Sequence, residues 1–189
     1  MRDDVERWSP LKAFFYSLRY RNPKSNRLVL DMAELTEKDF FLDVGCGPGA
    51  ALEYAASSGA NVFGIDPSPS MVARASTRVP SADVRLGSAE TIPFPDKSFT
   101  VVVNISSFHH WVDREDGLKE ISRILKPEGR LLVAEGVLTE GDDGHGLSRQ
   151  EADILTVRLS ELGYEDCSVE TIRAGWRREY FVIRGSVPK

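Results

Sequence analysis

The sequence predicts an α/β fold: a Rossmann-like, seven-stranded, mostly parallel sheet with an antiparallel last strand and helices on both faces. Three observations lead there. After about residue 40, short apolar runs alternate with helix-like stretches. The first apolar run ends directly in a glycine-rich turn, "FLDVGCGPGA" at 41–50. Near the C-terminus, Val169–Arg173 and Trp176–Arg184 read as two strands joined by Ala174-Gly175, a hairpin that adds antiparallel pairing.

Taken in order, Leu11, Phe14, Phe15 and Leu18 stand at i, i+3, i+4 and i+7, one face of a helix, with Arg19, Arg21 and Lys24 behind them. Residues 1–28 are expected to form a lid-like helical segment over a core of 29–189, the whole chain making one domain. Tyr16 and Tyr20 lie off that stripe and could reach a bound ligand. A membrane-surface helix with peripheral contact through 11–24 is the alternative. Strands are predicted at Phe40–Val44, Asn61–Ile65, Asp83–Leu86, Phe99–Asn104 and Arg130–Glu135, apolar enough to be buried on both faces. Ser68 before Pro69 starts a helix with Met71, Val72, Ala75 and Val79 as its apolar stripe. Asp113 caps a second, with Leu118, Ile121 and Leu125 at helical spacing and Lys126-Pro127-Glu128-Gly129 as its stop. Ser148 and Glu151 form a capping box for a third that runs to about Leu162. "TEGDDGHG" at 139–146 reads as a flexible loop.

The bulk numbers exclude several classes. A chain of 189 residues, 41% hydrophobic and 28% charged, suits one soluble domain. Its net charge of -5 divides into +4 for residues 1–28 and -9 for the rest, which argues against a nucleic-acid partner. Two cysteines, Cys46 and Cys167, make no disulfide framework and fit a reducing cytoplasm. "MRDDVERW" lacks a signal-peptide layout, and no apolar run approaches the ~20 residues that span a bilayer, so stable membrane insertion is not expected. Oligomeric state leaves no mark in the sequence.

The glycine turn carries the chemistry. Gly45, Gly47 and Ala50 satisfy G-x-G-x-x-G/A, and Asp66 ends the next strand, 23 residues after Asp43, where a carboxylate can hold both ribose hydroxyls. On these features alone a nicotinamide dinucleotide fits. Asp43 opposes it by placing negative charge where a pyrophosphate would lie, and Pro48 lacks an N–H where phosphate loops need donors. A ligand with a positive centre suits Asp43 better.

Four blocks in order, "LDVGCGPG", "FGIDPSPSMVARA", "GSAETIPFPDKSFTVVV" and "LKEISRILKPEGRLLVAE", resemble those of class I S-adenosylmethionine-dependent methyltransferases. The match is closest to the small-molecule group that includes the ubiquinone and menaquinone biosynthesis enzymes, and it covers roughly residues 40–135. The resemblance implies S-adenosyl-L-methionine as cofactor and a small-molecule methyl acceptor as partner. It implies that Asp43 faces the methionyl ammonium, and that Gly45, Cys46 and Gly47 pass close to the methionine and ribose. Asp66 would hold the ribose, Pro67 and Met71 would pack near the adenine, and the Ala89 N–H would meet its ring. Asn104 would use its backbone near the methionine. The family often carries an aspartate before the Ala89 position; this chain has Ser88, followed by Glu90.

Methyl transfer needs alignment first, because the sulfonium already activates the methyl group. A general base serves an oxygen or carbon nucleophile, and "SSFHHWVD" offers His109 and His110 just past the fourth strand. One of them could instead pack beside Trp111. A metal is not expected: adjacent histidines point apart, and Asp142, Asp143 and His145 sit in a glycine-rich loop that reads as solvated. Cys46 reads as a small residue that fits, with no base spaced to activate it. The predicted function is methyl transfer from S-adenosylmethionine to a small molecule. The alternatives are a methyltransferase-like cofactor-binding module without catalysis and an NAD-dependent oxidoreductase.

Overall fold

A computed structural model of the chain describes residues 24–139, 146–175 and 178–189. The Leu11–Leu18 stripe, Asp142, Asp143 and His145 of the acidic loop, and Trp176 lie outside the described residues. The elements are α1 (Lys24–Ala33), β1 (Phe40–Val44), α2 (Ala50–Ala56), β2 (Asn61–Asp66), α3 (Pro69–Arg78), β3 (Asp83–Leu86), β4 (Phe99–Ile105), a 3-10 turn (Phe108–His110), α4 (Arg114–Ile124), β5 (Leu125–Gly136), α5 (Arg149–Glu161), β6 (Glu165–Arg173) and β7 (Glu179–Ser186).

The strands form one seven-stranded sheet in the order β3-β2-β1-β4-β5-β7-β6. β1 pairs parallel with β2 and β4, and β4 parallel with β5. β7 inserts antiparallel between β5 and β6, as the C-terminal hairpin predicts. The chain order reverses between β1 and β4. At such a switch point two adjacent connections leave in opposite directions and open a crevice at the strands' C-terminal ends.

Period-2 alternation sorts the core into two layers. Phe41, Val101, Val103 and Leu132 pack under α1, α2 and α3, with Val29, Leu30, Leu52 and Ala75. Leu42, Val44, Val102, Leu131 and Val133 pack under α4 and α5, with Leu118, Ile121, Leu155 and Leu159. Val101, Val102 and Val103 are all 0% exposed, so β4 is the sheet's centre. Burial of each is worth on the order of 1.5–3 kcal/mol, which makes this strand the least tolerant of a polar change.

The start signals work largely as expected. Asp113 accepts the Asp116 N–H at 3.0 Å, and Ser148 and Glu151 make a reciprocal capping box. Ser68 differs: Pro69 follows it at the first turn, but its hydroxyl turns to the Ser70 hydroxyl at 2.9 Å instead of capping. Two other differences stand out. α1 crosses the boundary placed at residue 28, burying Val29, Leu30 and Ala33. β5 begins at Leu125, directly after α4, rather than at Arg130. Leu125 pairs with Phe99, the chain turns through Glu128 at φ +60, and regular pairing resumes at Arg130 opposite Val101.

The "ETIPFPDKSF" block is held from the helix side. Arg123 of α4 donates to the Phe94 carbonyl at 3.0 Å, the Ile92 carbonyl at 3.1 Å and Asp96 at 2.7 Å, while Glu120 accepts the Ile92 N–H at 2.9 Å. Phe63, Phe94 and Phe99 close beneath it edge to face, with centroids 5.1–5.6 Å apart. This block therefore fixes the wall beside Ser88, Ala89 and Glu90.

Candidate functional site: an acidic crevice at the sheet's switch point

Asp43 and Asp66 stand at the C-terminal ends of β1 and β2, and the loop between β1 and α2 folds over them. Gly45 and Cys46 both donate their N–H groups to the Ile65 carbonyl at 2.9 Å. Gly47 donates to Asp66 Oδ2 at 2.9 Å, and the Gly49 N–H bonds the Cys46 carbonyl at 3.0 Å. Pro48 has no N–H. The loop's donors thus turn inward, and a pyrophosphate laid on it would meet paired amides and two carboxylates. The nicotinamide reading finds no support in this geometry.

Gly45, Gly47 and Gly49 all have left-handed φ, at +78, +51 and +81. Their surroundings differ. A Cβ on Gly45 would sit 2.2 Å from Ser107 Oγ, and one on Gly49 3.0 Å from the backbone of Ala75. A Cβ on Gly47 would meet nothing within 4 Å, so at Gly47 the loop faces open space. Close packing at 45 and 49 seats the loop; the clearance at 47 admits a ligand.

Asp43 is 3% exposed, and its Oδ1 has no hydrogen-bond partner among the described residues. Burial, and then the neighbouring Asp66 charge, pushes its carboxyl up to about 8. A buried acceptor without a donor is costly. A ligand that brings a cation removes that cost and drives the carboxyl to its ionised form. Asp66 is also raised, by burial, although the N–H groups of Ser68 and Gly47 oppose the shift. Those two bonds, both 2.9 Å, occupy one lone pair on each of its oxygens and leave others for hydroxyl donors. Cys46 beside them is buried, and its thiol is pushed well up by burial, then by Asp43 and Asp66. That leaves it no thiolate character for a nucleophile.

On the opposite sheet face Asn104 is 0% exposed. Its Nδ2 donates to the Val44 carbonyl at 2.8 Å and to Ser107 Oγ at 2.5 Å. A carbonyl can only accept, so Nδ2 must face Val44, and Oδ1 is left with no partner among the described residues. Ser107 also donates to the Val44 carbonyl at 2.9 Å, sealing β1 to β4 at the switch point.

The remaining residues frame the crevice. Pro67 is exposed and Met71 buried at the start of α3. Ala89 is buried; a Cβ on Gly117 would meet the Trp111 ring at 2.5 Å and Ala89 Cβ at 3.2 Å. Ser88 bonds the Glu90 carboxylate, and Glu90 Oε1 accepts the N–H groups of Val112 at 2.8 Å and Asp113 at 3.2 Å. Burial alone would raise Glu90, but these bonds outweigh it and hold its carboxyl below the usual range. Glu90 therefore ties the wall to the start of α4.

The two histidines are not equivalent. His110 is exposed, whereas the His109 side chain is 10% exposed with Nδ1 2.9 Å from Glu135 Oε2. Their rings lie 4.0 Å apart between centroids. Glu135, which accepts the Phe108 N–H, and Ser107, which bonds the Val44 carbonyl, frame the candidate site and were not singled out from the sequence. Among the described residues no group of three or more His, Cys, Asp or Glu could hold a metal ion, and no helix is long and apolar enough to cross a membrane. Two hollows of roughly 650 and 430 Å³ lie along α5 and between α1 and α2, away from Asp43 and Asp66. The site rests on the carboxylates, not on cavity size.

A Rossmann-like sheet with an acidic switch-point crevice and inward-bonded loop donors suits a ligand with a positive centre better than a dinucleotide. Comparison with known proteins agrees. A family profile described as "Methyltransferase domain" matches residues 42–133. The chain is 33% identical over 159 residues to an uncharacterized methyltransferase, YdaC, of Bacillus subtilis, covering 82% of this chain and 87% of that one. It is 37% identical over 112 residues to the demethylmenaquinone methyltransferase of Tropheryma whipplei, covering 58% of this chain and 46% of the relative. A crystal structure of an S-adenosylmethionine-dependent methyltransferase from Aquifex aeolicus superposes with a TM-score of 0.74 at 23% identity, over 95% of this chain and 98% of the other. The chain belongs to the S-adenosylmethionine-dependent methyltransferases, and S-adenosylmethionine is its cofactor. It spans less than half the length of the demethylmenaquinone relative.

Proposed function

We propose that this chain transfers a methyl group from S-adenosylmethionine to a small-molecule acceptor held at the mouth of the β1–β4 crevice. One observation carries the reading: the buried Asp43 Oδ1, unpartnered among the described residues, beside a loop whose N–H groups point away from it. The residues fit the cofactor. Asp43 would accept from its ammonium, Asp66 from its ribose hydroxyls, and Gly47 would give it clearance. Pro67 and Met71 would flank the adenine, the Ala89 N–H would bond it, and Ser88 and Glu90 would fix that wall. Asn104 would line the methionine end, with Gly45 and Cys46 beneath. Bound there, S-adenosylmethionine supplies a methyl group already activated by its sulfonium.

The chain's own work is to orient the acceptor, exclude water and take up a proton where the acceptor has one to lose. His109 and His110, just past the β4 end of the crevice, would be the groups to serve that step, His110 being the exposed one of the two. The segment before α1 would complete the enclosure as a lid over a single domain. A small acceptor accords with the names of two relatives: the demethylmenaquinone methyltransferase, and a 27-O-demethylrifamycin SV methyltransferase of Amycolatopsis mediterranei that is 36% identical over 134 residues. The free thiols of Cys46 and Cys167 suit a reducing, cytoplasmic compartment. The test is transfer of labelled methyl from S-adenosylmethionine across a panel of phenols, quinols, amines and macrolides. Label in an extractable small product supports the reading. Label in protein or RNA alone contradicts it.

A further inference from the structure

α5 is apolar on two sides. Ala152, Leu155 and Leu159 face the sheet and are buried. Ile154 and Val157 stand on the opposite side of the helix, each 59% exposed. Among the described residues they are the only two exposed large apolar side chains that share a helix. A surface helix that packs on its own core alone carries one apolar stripe. A hollow of roughly 650 Å³ runs along this outer side, lined by α5 side chains from Arg149 to Glu161. A groove between the side-chain rows of one helix is the shape that takes the ridge of another.

We propose that α5 is a homodimerisation surface, crossing α5 of a second copy antiparallel about a two-fold axis. The order of charges around the groove carries this choice of occupant. In chain order it reads Arg149, Asp153, Ile154, Val157, Arg158, Glu161: base, acid, two aliphatics, base, acid. The two bases and two acids balance, which suits neither a nucleic acid nor an anionic membrane surface, since both call for an excess of Lys and Arg. Run backwards, the same order meets itself with opposite signs. Ile154 falls opposite Val157 of the partner subunit, Asp153 opposite Arg158 of the partner subunit, and Gln150 opposite Glu161 of the partner subunit. All three pairs share one midpoint, between Leu155 and Thr156. A parallel copy would set each charge against its like. The contact is therefore self-complementary, as a two-fold interface must be. The ion pairs within the chain, Arg149–Asp153 at 3.0 Å and Arg158–Glu161 at 2.7 Å, lie at the solvated rim, open to sharing across the seam. One helix pair buries less than a standard interface, so the dimer is weak and depends on concentration.

Sedimentation velocity of the full chain, from low micromolar to near-millimolar concentration, tests this directly. Wild type should pass from monomer to dimer and no further, because a two-fold contact closes on itself. Val157→Glu sets a carboxylate from each copy into the seam and should weaken association at least about tenfold. At 59% exposure the monomer tolerates that change, which an unchanged melting temperature at low concentration confirms. Mixing reads the charge order. Asp153→Arg and Arg158→Asp should each associate more weakly than wild type, since like charges then meet at both ends. An equimolar mixture of the two should recover the dimer. A wild type that stays monomeric at every concentration, an association that Val157→Glu leaves intact, or a mixture no stronger than its parts overturns the proposal. Should Arg158→Asp not fold, having lost its pairing with Glu115 as well, Val157→Glu decides alone.

Discussion

Asp66 divides its carboxylate between two backbone N–H groups and, on the proposed reading, the ribose of the cofactor. Asp66→Ala should therefore act twice. Calorimetry should show S-adenosylmethionine affinity falling by ~1.5–3 kcal/mol, the range for hydrogen bonds to a charged group. Thermal melting should show a less stable fold, because the Gly47 and Ser68 N–H groups lose their acceptor. A variant that binds as tightly as the parent would remove the ribose assignment. At Gly45 the argument is steric: with φ at +78 and Ser107 Oγ 2.2 Å from where a Cβ would stand, Gly45→Ala should cost ~1–3 kcal/mol in chemical unfolding. An alanine tolerated at no cost would mean that the loop does not press on Ser107. Both aspartates were legible in the sequence because their signal is local, an acid ending an apolar run beside glycines. Ser107 and Glu135 were not, because their partners lie 63 and 26 residues away. The clue available for Glu135 was a lone acid closing "RLLVAE".

At the scale of elements, the capping box of α5 gives the cleanest test. The Ser148 hydroxyl accepts the Glu151 N–H, and the Ser148 N–H donates to the Glu151 carboxylate in return. Ser148→Ala should lower stability by about 1 kcal/mol, seen as an earlier urea midpoint with unchanged slope; no shift would mean that α5 is held by packing alone. β1, β2 and β4 were readable almost to the residue, since burial on both faces leaves an apolar run that little else produces. Edges were harder. β6 begins at Glu165 rather than Val169, because an exposed edge strand with a left-handed Asp166 carries no alternating pattern. α1 was missed because Leu28, Val29 and Leu30 adjoin a basic stretch and show no start signal, though Val29, Leu30 and Ala33 form its buried side.

Across the whole molecule, the site works against the stability of the free protein. The Asp43 pKa is raised from 3.8 to about 8 on folding, so between those values the folded state binds the extra proton. Stability must then fall as pH rises through that window. Asp43→Asn should remove this slope: relative to wild type, the variant's melting temperature should gain as pH goes from about 5 to 8. Parallel curves for the two proteins would show that the carboxyl is not raised. Binding has the opposite sign. A cationic ammonium prefers the ionised carboxylate, so affinity should climb with pH, approaching tenfold per unit below about pH 8 and levelling above it.

Both effects converge on calorimetric titration with S-adenosylhomocysteine at pH 7, run in buffers of different ionisation enthalpy. If Asp43 faces the ammonium, wild type should release close to one proton per ligand bound, and Asp43→Asn should bind far more weakly and release none. Binding of wild type with no proton released, or undiminished binding by the variant, would contradict the central claim that this buried carboxylate is the cofactor's counter-charge.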